Sequence, residues 1–310
     1  MPLFSIIVPV HNRAHLIRDC VDSILAQRLH DFEIILVDNN STDDLDRVLA
    51  PYTDPRLNVI RCTTPGPAAA RMSGVAISRG RYLSFIDSDD VWQEDVLEEV
   101  AAALMSAEPP AAVYLSEVYF RDDRPVDWEA PPKGSVVTSA TLLEALWIGA
   151  PGACALAGVN REYFENGEGF AEELWVGEDL DWALRHAFVG PVCMLRDRPR
   201  LGYRRHDDNI TKNAGRYETW AGQFLRFARG GRYATASSAA LRLYIISHLM
   251  GQVYTLLCLR NFTSVLRLYP RIFLLGIQWR IVRPLFMPEL FASFFRGRWQ
   301  RLKSGAGHAA

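Results

Sequence analysis

Apolar residues fall along the chain in two kinds of run. Residues 4–10 (FSIIVPV) and 32–37 (FEIILV) are short continuous apolar stretches bounded by polar turns, the pattern of strands covered on both faces in a parallel sheet. Between them, AHLIRDCVDSILAQ sets Leu16, Ile17, Cys20, Val21, Ile24 and Leu25 on one helical stripe. That is a βαβ unit. The alternation goes on with a short helix in DLDRVLAPY, a strand in LNVIRC, a helix in GPAAARMSGVAISR, a strand in RYLSFID and a helix in VLEEVAAALMSA. An α/β half therefore ends near residue 108. Residues 109–214 read as α+β, with AAVYLSEVYFR as one strand and PVDWEAPPKGS as a Pro-rich loop. The final third, 215–310, is helical, and SGAGHAA is expected to fray.

Composition changes this picture in two ways. With 310 residues and 49% hydrophobic content the chain can bury a sizeable core. Its five cysteines (Cys20, Cys62, Cys154, Cys193, Cys258) show no C-x-x-C spacing, which suggests neither a disulfide framework nor a zinc knuckle. The start MPLFSIIVPV has no basic region before its apolar run, so a cleaved signal is not expected and a cytoplasmic location is. Charge is the second change. Residues 1–214 hold 20 Lys+Arg against 34 Asp+Glu, net −14, whereas residues 215–310 hold 14 against 2, net +12. A basic part can face nucleic acid or an anionic membrane. Here Arg267, Arg271, Arg280, Arg283, Arg296, Arg298 and Arg301 are interleaved with Phe, Leu, Ile and Trp, and no acid lies between 219 and 288. That combination suits a membrane interface and no nucleic acid, with an ordinary helical appendage as the plainer reading. Residues 243–259 (LYIISHLMGQVYTLLCL) lack charge but fall short of the ~20 apolar residues of a spanning helix.

The chemistry-bearing residues sit where strands end. Asp87, Ser88, Asp89 and Asp90 follow an apolar strand, at the sheet edge where open α/β folds bind ligands. Side chains two apart on an extended segment point the same way, so Asp87 and Asp89 share a side. Crowded carboxylates repel unless a cation neutralises them, and an all-oxygen set suits Mg²⁺ or Mn²⁺; the plainer reading is a solvated acidic turn. Asp38 and Asn40 stand in VDNNSTDD at the end of the second strand. A carboxylate there accepts a ring N–H of uracil, thymine or guanine but finds none on cytosine, while Ser41 or Thr42 is a candidate helix cap. Pro9, His11 and Asn12, in PVHNR, border a base or ribose, with Asn12 a second candidate cap. Arg71, after the small residues of GPAAARMSG, either reaches toward a diphosphate or base or is a surface arginine. Glu178 and Asp179 open a helix as dipole partners or, under Trp175 and Trp182, as a base for an acceptor hydroxyl. His206, in YRRHDDNIT, is a solvated loop histidine or the nitrogen that completes an oxygen-rich metal site.

Taken in order over residues 4–212, SIIVPVHNR, EIILVDNNSTD, GPAAARMSG, YLSFIDSDD, GEDLDWALR and YRRHDDNIT resemble the family 2 glycosyltransferases of the GT-A fold. The resemblance implies an inverting, metal-dependent transferase of the bacterial cell-surface polysaccharide type. In it, residues 1–108 bind the nucleotide-sugar donor, and 109–214 form the acceptor and catalytic-base half of the same α/β, Rossmann-like domain. Position by position, it implies that Asp38 holds the base, Asp87 with Ser88 the ribose side, and Asp89 the Mg²⁺ or Mn²⁺ that bridges the diphosphate. Asp179 becomes the general base with Glu178 beside it, and His206 approaches the metal or diphosphate. Met72 departs from the asparagine common in the family, which leaves donor contacts at that turn open. QFLRF, residues 223–227, is a chance echo of the Q-x-x-R-W motif of processive members. The expected reaction moves one sugar, from a UDP-sugar by preference, to a lipid-linked or glycan acceptor at the inner face of the cytoplasmic membrane. A nucleotidyltransferase and a catalytically silent, membrane-recruited nucleotide-binding scaffold are the alternatives.

Overall fold

The apolar runs of the first third become neighbouring parallel strands. The computed structural model describes residues 1–281 apart from 123, 132–133, 148–154, 189, 208–213, 234–237 and 259–260. Its contacts divide the chain into one unit over Met1–Asn209 and another over Ile210–Ala310. The first unit begins β1 (Phe4–Val10), α1 (Ile17–Leu25), β2 (Phe32–Asp38), α2 (Leu45–Leu49), β3 (Leu57–Arg61), α3 (Pro67–Ile77) and β4 (Tyr82–Phe85). Strand β1 lies between β2 and β4, parallel to both, with Val10 opposite Asp38 and Ile7 opposite Phe85. Strands β2 and β4 are buried at every position, whereas edge strand β3 is largely exposed. Their common direction puts all their carboxyl ends on one rim.

Helix α3 lies close against this sheet because its inward positions are small. Ala68, Ala69 and Ala70 are buried, and a Cβ on Gly74 would stand 2.7 Å from Ile7 Cγ2 and 3.2 Å from Val37 Cγ2. Gly74→Val is therefore expected to cost about 1–3 kcal/mol by overpacking, read as a lower urea midpoint; an unchanged midpoint would contradict this packing.

The unit continues with β5 (Val91–Trp92), α4 (Val96–Leu104), β6 (Ala112–Leu115), β7 (Glu117–Phe120), β8 (Val137–Ser139), α5 (Leu142–Trp147), β9 (Leu156–Asn160), α6 (Arg161–Asn166), α7 (Glu178–Arg185), β10 (Val192–Leu195) and β11 (Leu201–Arg204). The main sheet runs β3-β2-β1-β4-β9-β6-β10-β8, with β9 antiparallel to both β4 and β6. One mixed, mostly parallel sheet thus joins the two halves. A second sheet, β5-β11-β7, stands apart. AAVYLSEVYFR, read above as a single strand, is two strands in different sheets. The break is Ser116, whose N–H donates to Leu195 O (3.0 Å) and whose carbonyl accepts from the N–H groups of Arg200 and Leu201 (3.0 and 3.2 Å). Before Ser116 the chain pairs with β10, and after it with β11.

The second unit contains α8 (Ala214–Arg229), α9 (Ala239–Cys258) and α10 (Phe262–Gln278). Leu241, Ile245, Ile246, Leu249, Val253 and Leu256 of α9 are buried, and His248 packs edge-on to Trp220 at 5.2 Å between ring centroids. The described side chains of the uncharged run 243–259 are therefore largely core, and no described helix is long and apolar enough to cross a membrane. Glu218 of α8 accepts from the Ser264 hydroxyl and from Arg267 of α10. Arg283, Arg296, Arg298, Arg301, Cys154 and the tail 304–310 lie outside the described residues.

Candidate active site

At the carboxyl rim of β1 and β2, two sharp turns hold each other. Asn12 and Asn40 take left-handed φ values of 52° and 60°, a conformation that asparagine tolerates better than most residues. The Asn12 N–H donates to Ser41 Oγ (3.1 Å), and Asn12 Oδ1 accepts from the Thr42 N–H (2.8 Å). Neither predicted cap is made: the N-cap positions of α1 and α2 are Leu16 and Asp44, neither with a side-chain cap, and Asn12 and Ser41 instead join the two loops. Pro9 lies opposite Val37 in the strand register, and His11 Nδ1 is 2.7 Å from Asn39 O. Asp38 is nearly buried. Its Oδ1 accepts from the Ser41 N–H at 2.9 Å, and its Oδ2 is 3.8 Å from Arg61 Nε. It lines a cavity of about 230 Å³ shared with Asn40, Ser41, Arg61 and Thr63. The Asn40 side chain donates to Thr63 O (3.3 Å).

The acidic turn after β4 is the centre of the rim. Asp87, Asp89 and Asp90 each offer a carboxylate oxygen, all within 4.8 Å of one another, and Ser88 is buried among them. Asp89 Oδ2 accepts from Arg13 Nε at 3.3 Å and lies 2.8 Å from His206 Nε2. Burial alone pushes the Asp89 carboxyl up, but the His206 hydrogen bond and the Arg13 charge outweigh it and hold the group below its usual range. Asp90 behaves oppositely: burial, then the charges of Asp89 and Asp87, push it well up. Asp90 Oδ1 accepts from the Arg204 N–H (2.9 Å), while its buried Oδ2 has no hydrogen-bond partner. Crowded carboxylates, one with an unsatisfied oxygen, fit a hard divalent cation such as Mg²⁺ or Mn²⁺. The small sheet brings His206 here, because β11 pairs with β5 directly after the acidic turn.

Arg71 ties this turn to the second half of the unit. Its guanidinium is buried, with Nη2 donating to Asp87 Oδ1 (2.5 Å) and Nη1 to Glu178 Oε1. It is committed to two carboxylates rather than extended as an open arm. Burial pushes Glu178 up to about 7 against the opposing pull of Arg71; burial likewise raises Asp87. Next to Glu178, Asp179 Oδ1 accepts from the Leu180 N–H (2.7 Å), and its charge acts on Arg71, Asp87, Glu178 and Tyr114. The two tryptophans expected to cover these acids part company. Trp182 is buried among Phe164, Phe170 and His186, and Trp175 is exposed beside Gly66. Met72 accepts the Phe170 N–H on its sulfur at 3.3 Å.

Three residues of this rim, Asn39, Arg13 and Arg204, were not singled out by patterning, and a fourth, Asp90, was seen without its burial. Buried Asn39 binds Cys62 O and Thr64 O through Nδ2 and the Gly66 N–H through Oδ1 (3.1, 2.7 and 2.8 Å). Arg13 grips Asp89, and buried Arg204 donates from Nε to Asp89 O at 2.9 Å while pairing with Asp19 and Asp122. None of the first three carries a local signal, since each acts on a partner distant in sequence.

Comparison with known proteins bears on the family and the fold. A family model described as "Glycosyl transferase family 2" matches residues 5–167. A "PGL/p-HBAD biosynthesis glycosyltransferase" of Mycobacterium bovis is 40% identical over 117 residues, 36% of this chain and 46% of that protein. The "Uncharacterized glycosyltransferase EpsJ" of Bacillus subtilis is 41% identical over 92 residues, 29% of this chain and 27% of that protein. The chain thus spans less than half the length of these relatives. Among solved structures, S. aureus TarS 1–349 in complex with UDP-GlcNAc aligns with a TM-score of 0.60 at 18% identity, covering 95% of this chain and 92% of that one.

Proposed function

The chain belongs to glycosyl transferase family 2 and has the GT-A fold, and from that premise we propose that it moves one sugar, with inversion, from a UDP-sugar to a hydroxyl of a lipid-linked or glycan acceptor. The observation that carries this reading is the Arg71 link, which holds Asp87 of the acidic turn and Glu178 of the α7 head at one place. Donor-side and acceptor-side carboxylates then serve a single reaction. Asp38, beside its cavity, accepts the ring N–H of uracil. The UDP-GlcNAc held by TarS supports that donor class. Asp87 takes the ribose side, with Pro9, His11, Asn12, Asn40 and Ser88 bordering the nucleotide. Asp179 removes the proton of the acceptor hydroxyl, whose oxygen attacks the anomeric carbon opposite the departing nucleoside diphosphate. Glu178 stays with Arg71, which leaves the neighbouring acid for the base. Asp89, with Asp90 and His206, would hold Mg²⁺ or Mn²⁺. Such an ion, when bound, offsets the charge that grows on the leaving diphosphate.

A thermal-shift panel of nucleotide sugars tests the donor. The midpoint is expected to rise with one UDP-sugar plus Mn²⁺ and not with the sugar nucleotide alone. Release of nucleoside diphosphate supports glycosyl transfer, whereas pyrophosphate would mean nucleotidyl transfer.

The same reading sets the enzyme on the inner face of the cytoplasmic membrane, in cell-surface polysaccharide synthesis. Its support is the net charge of +12 over 215–310 and the outer face of α10, where Phe262, Leu266, Leu274 and Ile277 are exposed beside exposed Arg267 and Arg271. Full-length protein is expected to float with anionic vesicles and not with neutral ones, and Leu266→Glu/Leu274→Glu to reduce flotation several-fold. Equal flotation with both vesicle types would remove the membrane part of the proposal.

A further inference from the structure

Among the described residues, Trp175 is an exposed aromatic side chain four positions before the proposed base in the chain. Tryptophan is mostly buried in folded proteins, and Trp92, Trp182 and Trp220 are all under 5% exposed here, whereas Trp175 is 47% exposed. Two observations locate it. It lies three residues before Glu178, whose carboxylate is fixed by Arg71. Its indole also borders Gly66, at 3.9 Å from where a Cβ would be. Gly66 in turn has φ 123° and its N–H held by buried Asn39 at the end of β2. The ring therefore stands against the turn that opens α3, and four positions before Asp179 in the chain. The residues lining the cavity at Asp38 do not include it, so the position assigned to the nucleobase lies elsewhere.

We propose that the indole face of Trp175 is the stacking platform for a pyranose ring of the acceptor, and so a specificity-determining residue. The proposal rests on the transferase reading above. The negative face of an aromatic ring attracts the weakly positive C–H groups on the apolar face of a pyranose. Stacking there leaves the equatorial hydroxyls at the ring's edge, where one can reach the carboxylate of Asp179. Because the contact is made by a flat face and not by hydrogen bonds, it selects the sugars whose C–H groups lie on a single side.

The test uses full-length protein labelled with 5-fluorotryptophan, the Trp175 signal being assigned from Trp175→Phe. Methyl glycosides of glucose, galactose and N-acetylglucosamine are titrated in the presence of UDP and Mn²⁺. At least one is expected to move the Trp175 signal. Trp175→Leu should weaken that glycoside about tenfold, and Trp175→Phe less than threefold. Wild type and both variants should keep the same UDP-induced thermal shift. If no wild-type UDP shift occurs, the transferase reading fails on its own account. A Trp175 signal that follows UDP and ignores every glycoside would assign the indole to the nucleotide and overturn the proposal. So would a signal that nothing moves, or glycoside binding unchanged in Trp175→Leu.

Discussion

Replacing Asp179 by Asn is expected to lower kcat by about 100- to 10,000-fold while leaving the affinity for the nucleotide sugar within a factor of two or so. The amide keeps the size of the side chain and can still accept the Leu180 N–H that Asp179 Oδ1 accepts now, so the head of α7 keeps its form. What it loses is the ability to take a proton. Asp179 stands beside an acid pushed up to about 7, but that neighbour, Glu178, is paired with Arg71 and cannot turn to the acceptor without breaking the link. Glu178→Gln is therefore expected to cost far less in kcat and to appear mainly as lost stability. Steady-state release of nucleoside diphosphate, with donor binding measured separately, distinguishes the two. If Glu178→Gln were the inactive variant and Asp179→Asn retained turnover, the two roles would have to be exchanged.

Arg71→Met should be the most destabilising single change at the rim. It leaves two carboxylates, Asp87 and Glu178, in a buried site without their shared cation, and breaking a buried pair from one side typically costs about 3–5 kcal/mol. For a unit of this size that lowers Tm by roughly 10 °C. Arg71→Lys is not expected to rescue it, since one ammonium cannot span two carboxylates as a planar guanidinium does. The loss should also depend on pH. Glu178 in the folded protein binds its proton up to about 7, above the usual carboxylate range, so the folded state holds more protons than the unfolded one between those values, and Glu178 by itself lowers stability as pH rises through that window. Arg71 opposes this, because it favours the charged forms of Glu178 and Asp87. Without Arg71 both acids shift higher still, so the gap between wild type and Arg71→Met should be small near pH 5 and widen through pH 7 to 8. A gap independent of pH would mean that Arg71 acts through packing alone.

Both predictions turn on residues that the sequence displayed with unequal clarity. Asp38 and Asp87 were readable because strands buried on both faces are largely apolar, and a carboxylate at the carboxyl end of such a run stands at the rim. Helix α3 was readable in the same way, since a helix pressed to a sheet needs small residues and Gly74 supplies one. Arg71 was visible as a residue but not as a link: a guanidinium that bridges Asp87, 16 residues away, and Glu178, 107 away, leaves no periodic trace. The same is true of Arg204, which reaches Asp90 across 114 residues. Ser116 shows the converse failure, where a continuous β-prone run concealed a change of sheet that is set by its partners β10 and β11 and not by its own residues.

The sequence by itself determined the alternation of the longer strands and helices over residues 1–108, the rim on which Asp38 and Asp87 stand and the division of charge between 1–214 and 215–310, because burial dictates periodicity and periodicity is local. Only the tertiary structure decided which basic side chain faces which acid: His206 and Arg13 on Asp89, Arg71 between Asp87 and Glu178. Those pairings arise where separate loops meet above the sheet, and the Coulomb energy that makes them depends on distance and desolvation, neither of which is written in the spacing of residues along a chain.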